Sequence, residues 1–596
     1  MDEFKLVTGC KGYVTKIDKT LVDENYLVAG SQNMIINDEG GLVETRGGIS
    51  IFGATNSTTT PPKSEHVWKH SQGTQIMLRE ANGTLEFYSE DSDAWETLLT
   101  GLSATYPVRF APIWDTTELI DILLFVNHST TLYQWGGGLG TYASSTLTTI
   151  VINETIADRH FLTAGTRLIR VKDSGGTWRE FTVSSQTGST FTVAEDPTAF
   201  TFSANALVVQ SVRTSSNVPA STFTNDVIKV LQNQAIIGSH SSRRIYISKN
   251  TSYTDYTFSS PRIIGEGVLA TLDDITVGLE IDDSNNQAVF FSGGNRIYRG
   301  FFEVSPGSTA DRENFTVKPL LVGEGQGAMS QELITKIKQA IVWLSNDNEL
   351  VKLGQVQNLP SPQAVSISDP IKNDFVNASF TNGSLKLWRS NLIITAPPDS
   401  KVFIFDLAKR YWQPPQIMGV RLLSVYNELL YGHSNSILET YELFTGVNDN
   451  GNPIAFKAHF AYRNHGDRAV LKNFDKYYTE MYIASNTTVT VKLLFEYGGS
   501  KTIKSYDCDG SIATFLSVPN VSASLGVNSL GVSPLGSIIG EPDDLNKYRR
   551  YKPTDAVDYH EFQARFETDG DDAQFALLSH GPNAVKSQNS AQKLYQ

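Results

Sequence analysis

The chain has 596 residues, 40% hydrophobic and 19% charged, with a formal net charge of −14. That length holds about two to four domains and a large core, and the acidic balance excludes a surface devoted mainly to gripping nucleic acid. Its two cysteines, Cys10 and Cys508, exclude a disulfide framework or a four-cysteine zinc site.

The 46 glycines, 30 phenylalanines and 24 tyrosines, with abundant Thr, Ser and Val and no long Ala/Glu/Lys/Leu stretches, point to an all-β protein. No apolar run reaches the length of a transmembrane helix. The start, MDEFKLVTG, has neither a basic nor an apolar leader region, so no secretion signal is expected.

Residues 1–30 carry no strong periodicity and read as an N-terminal arm, 1–40. From Gln32, QNMIINDEGGLVETRGGISIFG gives a strand, a turn at Asp38–Gly41, a strand and then Arg46-Gly47-Gly48. This is a hairpin entering the first domain, with paired glycines suited to a bend or a close backbone approach.

A hairpin pattern of an apolar run, a turn and a β-rich return then recurs. It is clearest at 288–302, AVFFSGGNRIYRGFF, where an extended return places Arg296 and Tyr298 on one face and Ile297 and Arg299 on the other. The other copies fall at 75–89, 121–136, 234–248, 340–354, 391–407 and 428–443, the last being the least regular. About seven units, the later ones roughly 35 to 55 residues apart, fit a β-propeller of six to seven blades in which each hairpin is a blade's middle pair. An open β-sandwich of similar hairpins is the alternative. The segments 41–139 and 219–446 make up this propeller. An early strand within 42–52 is expected to complete the last unit, which lacks one, and so remove two exposed edges.

Between them, 140–218 offers short alternating strands with turns at Gly165, Gly175-Gly176 and Gly188, a small β-barrel or sandwich inserted between blades. The run from Ser330 to Ala340 fits a capped helix through Leu333, Ile334 and Ile337, or an extended run continuing into Ile341-Val342-Trp343-Leu344. Longer alternating strands at 454–463, 476–485, 487–497 and 559–568 give a C-terminal β-sandwich, 447–581. The polar tail, 582–596, reads as loose.

The sequence offers little for catalysis. It contains no HExxH or HxH pairing, no GxSxG elbow and no GxxxxGK[ST] loop. Asp273, Asp274, Glu280, Asp282 and Asp283 flank an apolar strand. They are the candidates for a glycosidase's paired carboxylates, though acids at strand ends more often serve turns. Asn448-Asp449-Asn450-Gly451 and Asp507-Cys508-Asp509-Gly510 lack the distal Glu of a calcium loop and read as turns. No catalytic, cofactor-binding or metal-binding residue and no cofactor is therefore assigned, and no enzyme activity is expected.

The stretch 510–540, GSIATFLSVPNVSASLGVNSLGVSPLGSIIG, carries no charge where roughly six charged residues would be expected at the chain's average density. Leu516, Val518, Val521, Leu525, Val527, Leu530, Val532, Leu535, Ile538 and Ile539 recur in it without a clean period. A free linker is richer in charge and poorer in aliphatics, so these ten are assembly candidates, covered by a neighbour or by the chain's own sandwich.

The acidic-Gly turn with Arg-Gly-Gly at 38–48, the phrases NQAVFFSGGNRIYRG and GEGQGAMSQELITKIKQAIVWLSNDNELVKL, the propeller end KVFIFDLAKRYWQPP with LLYGHSNSILETYELFTGVNDNGNPI, and the closing GDRAVLKNFDKYYTEMYI together resemble the tail-nozzle, or packaged-DNA stabilisation, proteins of short-tailed bacteriophages. The resemblance spans most of the chain through loose patterns; the inserted domain is not part of it. It implies a virion protein of the tail, assembled as a ring, commonly a hexamer, below the portal and adaptor. Its partners would be its own copies, the portal-adaptor and other tail proteins, with DNA only as cargo in transit and no membrane segment. An acidic lumen would let DNA slide without the counterion-release affinity of a basic groove. A receptor-binding or baseplate adhesin and a propeller glycosidase are the alternatives.

Overall fold

The computed structural model describes residues 7–37, 42–53, 58–69, 75–90, 92–115, 120–153, 167–215, 223–249, 255–256, 262–263, 276–293, 296–302, 315–320, 327–338, 340–354, 363–463, 471–474, 476–484, 487–497, 500–509, 545–553, 559, 561–568, 575–582 and 586–588. It forms two compact units, Gly53–Val365 with Ser436–Leu438, and Met1–Phe52 with Ser366–Asn435 and Glu439–Gln596.

The fold is all-β, a β-propeller with an inserted barrel and a C-terminal sandwich. Among the described residues seven antiparallel sheets are blades, and in every one the expected hairpin is the middle pair. Blade 1 runs Ser64–Lys69, Gln75–Ala81, Thr84–Ser89, Ala94–Leu99, and blade 2 runs Arg109–Asp115, Ile120–Val126, Tyr133–Trp135, Arg213–Thr214. Blade 3 is Val227–Leu231, Gln234–Ser239, Ser242–Ile247, Arg262–Ile263; blade 4 is Thr276–Asp282, Gln287–Ser292, Ile297–Phe302, Phe315–Leu320. Blade 5 is Ile334–Ile337, Ala340–Leu344, Leu350–Gly354, Gln363–Ser366. Blade 6 is Leu385–Trp388, Asn391–Ala396, Lys401–Asp406, Tyr411–Trp412, with Gln416–Ile417 also on its third strand. Blade 7 is Val420–Tyr426, Leu429–Ser434, Thr440–Leu443, and its outermost strand is the early segment Ile49–Phe52, Leu443 opposite Ile49 and Thr440 opposite Phe52. The last unit takes its missing strand from the start of the chain, as its sequence implied.

Blade strands read as apolar runs because a blade is covered on both faces. In blade 4, Ala288, Phe290, Tyr298 and Phe302 pack with Val227, Ile236 and Ile245 of blade 3. Val289, Phe291 and Ile297 pack on the other side with Ile341, Trp343 and Val351 of blade 5. Tyr298 and Ile297 therefore do point to opposite faces, and both are buried. Each such side chain contributes about 1.5–3 kcal/mol on burial, an upper figure for a compact unfolded chain.

The insert is a closed six-stranded barrel in the order Gly138–Thr146, Thr149–Ile152, Thr190–Val193, Trp178–Thr187, Arg167–Lys172, Leu207–Gln210. It lies inside blade 2, between that blade's third and fourth strands, rather than between blades. Gly138 pairs with Val209, so the barrel's ends meet and Arg213–Thr214 returns beside Tyr133–Trp135. Lys172 Nζ bonds both oxygens of Glu96 at 2.7 Å, Arg170 Nη1 donates to Leu98 O at 2.7 Å, and Trp178 lies 6.5 Å from Phe87. These contacts fix the barrel on blade 1.

The sandwich pairs a five-stranded sheet (Met34–Ile36, Val43–Thr45, Phe575–Pro582, Lys476–Ala484, Leu545–Pro553) with a four-stranded one (Lys457–His459, Glu561–Glu567, Thr488–Tyr497, Ser500–Asp509). Three expectations change here. The hairpin Met34–Ile36/Val43–Thr45 belongs to this sandwich and not to the propeller, and Leu27 bridges to Phe460, so the N-terminal segment is not a separate arm. Lys586–Gln588, read as loose tail, pairs with Leu471–Asn473. The Ser330–Ala340 run is extended after a single 3-10 turn, Gln331–Leu333, with a tight turn at Lys338 (φ 49°) between Ile334–Ile337 and Ala340–Leu344. A one-turn α-helix, Lys372–Asn377, had no sequence signal of its own. Among the described residues no helix is long and apolar enough to cross a membrane.

Candidate functional site

The described flagged acids, Glu280, Asp282 and Asp283, are each engaged by neighbours within the blades. Asp273 and Asp274 lie outside the described residues. Glu280 pairs with Lys229 at 2.9 Å and Asp283 with Lys336 at 2.5 Å. Asp282, buried, accepts from the Ser284 backbone N–H at 3.1 Å, Asn285 Nδ2 at 2.7 Å and Gln287 Nε2 at 3.3 Å, which is turn chemistry. Asp507, from the second calcium-like motif, accepts the Thr490 hydroxyl at 2.8 Å, and Cys508 is buried and forms no disulfide. Among the described residues no three His, Cys, Asp or Glu side chains are placed to hold a metal ion.

All ten assembly candidates, Leu516 through Ile539, lie outside the described residues. The strands that flank them are described: Ser500–Asp509 is an edge of the four-stranded sandwich sheet and Leu545–Pro553 an edge of the five-stranded one. Ile503 on the first of these edges is 60% exposed.

The most developed polar site is built on Arg46-Gly47-Gly48. Arg46 is fully buried, and its Nη1 and Nη2 reach Asp449 Oδ1 and Oδ2 at 2.7 and 2.5 Å, a two-pronged charged pair. Nη1 also donates to Gly47 O, Nη2 to Ile417 O, both at 2.9 Å, and Nε to Asn33 Oδ1 at 3.2 Å. Asn33 in turn donates to Ala455 O at 2.7 Å and accepts from Ile417 N–H at 2.7 Å. The guanidinium thus joins the sandwich hairpin, blade 6 and the segment after blade 7. The glycines let the backbones touch: Gly48 N donates to Gly446 O at 3.1 Å and Thr445 N to Gly48 O at 3.0 Å. The sequence marked the glycines as a close approach. Asp449 it read only as a turn, because nothing local shows a partner 403 positions away.

Deeper in the sandwich, His459 Nε2 lies 2.8 Å from Glu567 Oε1, and Lys492 Nζ bonds the other oxygen at 2.5 Å. Burial pushes Glu567 up, but Lys492 and His459 outweigh it and hold the carboxyl below its ordinary range. Burial, then Arg565, hold His459 down at about 4 against the pull of Glu567, so the neutral ring donates Nε2–H. Its Nδ1 faces Gly30, where a Cβ would come within 2.5 Å. His580, whose Nδ1 meets the Tyr477 hydroxyl at 2.5 Å, and His240 are depressed by burial as well.

Below the ordinary value of 6.5 an unfolded His459 is protonated while the folded one is neutral, so unfolding takes up protons. The stability from this group is complete above about pH 6.5 and is lost as pH falls toward 4, roughly 3 kcal/mol in all. Denaturant midpoints measured from pH 7.5 to 4.5 are expected to fall with pH. His459→Gln, which keeps a donor to Glu567, should flatten that slope by about one proton; an unchanged slope would remove His459 as its source.

No protein-family model matches the chain, and no curated protein matches it. Solved structures do. YCF48 from Cyanidioschyzon merolae aligns at 9% identity and a TM-score of 0.34, over 67% of this chain and 98% of its own. The Cps50 (Swd1) β-propeller domain of Myceliophteria thermophila aligns at 7% and 0.36, over 66% and 99%. The likeness concerns the fold.

Proposed function

We propose that this chain is a structural subunit of a phage tail, assembled as a ring that extends the DNA channel below the portal and adaptor and retains packaged DNA. The observation that carries this reading is the setting of the charge-free stretch 510–540. In the chain it falls between two strands, Ser500–Asp509 and Leu545–Pro553, each of which is an edge of one of the sandwich's two sheets. Edge strands are where sheets accept further partners. Covering the aliphatics stabilises by about 1.5 kcal/mol or more for each one fully buried, before the cost of ordering the segment. A head-to-tail contact of this kind, repeated by rotation, closes into a ring. The net charge of −14 suits a conduit through which DNA passes without adhering.

Limited proteolysis of free and assembled protein tests the contact. Cleavage between Ser517 and Ile539 in the free subunit, with protection in the assembly, is expected. Equal protection in both states would return the stretch to its own sandwich and remove its assembly role.

A further inference from the structure

We propose that a cleft at the turn ends of blades 3 and 4 binds an acidic saccharide. The cleft, about 380 Å³, is lined by Gln232, Asn285, Asn286, Gln287, Arg299, Phe301 and Phe302. Its volume falls in the lower part of the ~300–1,000 Å³ range of small-molecule sites.

The lining comes from two equivalent turns and one strand. Gln232 sits in the turn joining the first two strands of blade 3, Asn285 and Asn286 in the corresponding turn of blade 4, and Gln287 opens the strand that follows it. Gln232 and Asn286 hold left-handed backbone, φ 50° and 51°, which fixes how these tight turns present their side chains. Beneath them Asp282 takes one N–H from Asn285 Nδ2 and one from Gln287 Nε2. Those two amides are held in place before any ligand arrives, and each keeps its carbonyl oxygen and a second N–H in reserve. Four side-chain amides in one cleft match neighbouring hydroxyls, since an amide and a hydroxyl each donate and accept.

The charge is opposite to that of the chain. Arg299 is the one charged residue in the lining of this cleft, in a protein of net charge −14. Its Nε is buried without a hydrogen-bond partner, and its guanidinium stands 5.7 Å from the Phe301 ring, with Lys318 Nζ 5.2 Å from the same ring. A guanidinium with an N–H left unmet by its own chain favours a planar anion, and a carboxylate fits its fork. Half-buried Phe301 offers an apolar edge for the C–H face of a pyranose ring, with Phe302 buried beneath the cleft. Hydroxyls, a carboxylate and an apolar ring face on one ligand describe a uronic-acid sugar. The site is independent of the ring contact, and either proposal stands if the other fails.

The test titrates the full-length protein with a glucuronate-containing tetrasaccharide, its carboxyl-reduced form and inorganic phosphate, followed by calorimetry. The acidic saccharide is expected to bind at least about tenfold more tightly than the reduced one. Arg299→Gln should abolish that difference, and Gln232→Ala should weaken both saccharides alike, with unchanged circular dichroism in each variant. Equal affinity for the two saccharides, binding of phosphate in preference to either, no binding by a folded protein, or an undiminished preference in Arg299→Gln would each overturn the assignment.

Discussion

Arg46→Ala is expected to lower the unfolding free energy of the unit that holds the sandwich by about 3–5 kcal/mol, the cost of breaking a buried ion pair from one side. The side chain is fully buried and makes five hydrogen bonds, two of them to Asp449. Truncation leaves that carboxylate, 22% exposed, and the carbonyls of Gly47 and Ile417 without their donor. Asp449→Asn should cost a comparable amount, because the guanidinium then stays buried beside a neutral group. Since both variants break the same contact, Arg46→Met with Asp449→Asn should cost clearly less than the sum of the single changes. Arg46→Lys keeps the charge but loses the fork, and falls between wild type and alanine. Denaturant titration reads all four, and a loss below about 0.5 kcal/mol for Arg46→Ala would mean that the pair is dispensable.

Gly48→Ala should be at least as damaging, about 4 kcal/mol or more. A Cβ on Gly48 would stand 1.8 Å from Asn448 O and 2.6 Å from its carbonyl carbon, and that backbone has little freedom to yield. Gly48 is bonded on both sides to the 445–446 segment, and Ile49 N donates to Asn448 O at 3.0 Å. The clash would therefore push Ile49–Phe52 off Thr440–Leu443, opening the edge of blade 7. Hydrogen exchange should show lost protection in both strands. Gly138→Ala, where a Cβ meets nothing within 4 Å, is the control and should stay within about 0.5 kcal/mol. Retained protection in Gly48→Ala would show that the approach is looser than the geometry requires.

The blades were legible because each hairpin is local: an apolar run, a turn and a return lie within a short span, and turns such as Asn82-Gly83 and Gln232-Asn233 hold the left-handed backbone they need. The shortage of a strand in the last unit was legible for the same reason, as a missing piece of a repeated pattern. The sequence did not show that Met34–Ile36 joins a strand, Phe575–Pro582, near the other end of the chain, because three consecutive buried apolar residues fit either domain equally well. Nor could spacing show that the barrel interrupts blade 2, since its fourth strand, Arg213–Thr214, is too short to carry a period. Of the Arg46–Asp449 site, Arg46 and its glycines were visible and Asp449 was visible only as a turn. The amide cleft was invisible, because Gln232, Asn285 and Asn286 are ordinary turn residues and Gln287 an ordinary strand start until the fold lines one cleft with all four.

Ring assembly is decided by imaging the purified full-length protein by electron microscopy. Closed rings of several copies around an open channel are expected, with 510–540 protected within them. Particles that remain single subunits at micromolar concentration, or that appear singly and not as a ring on a phage tail, would contradict it.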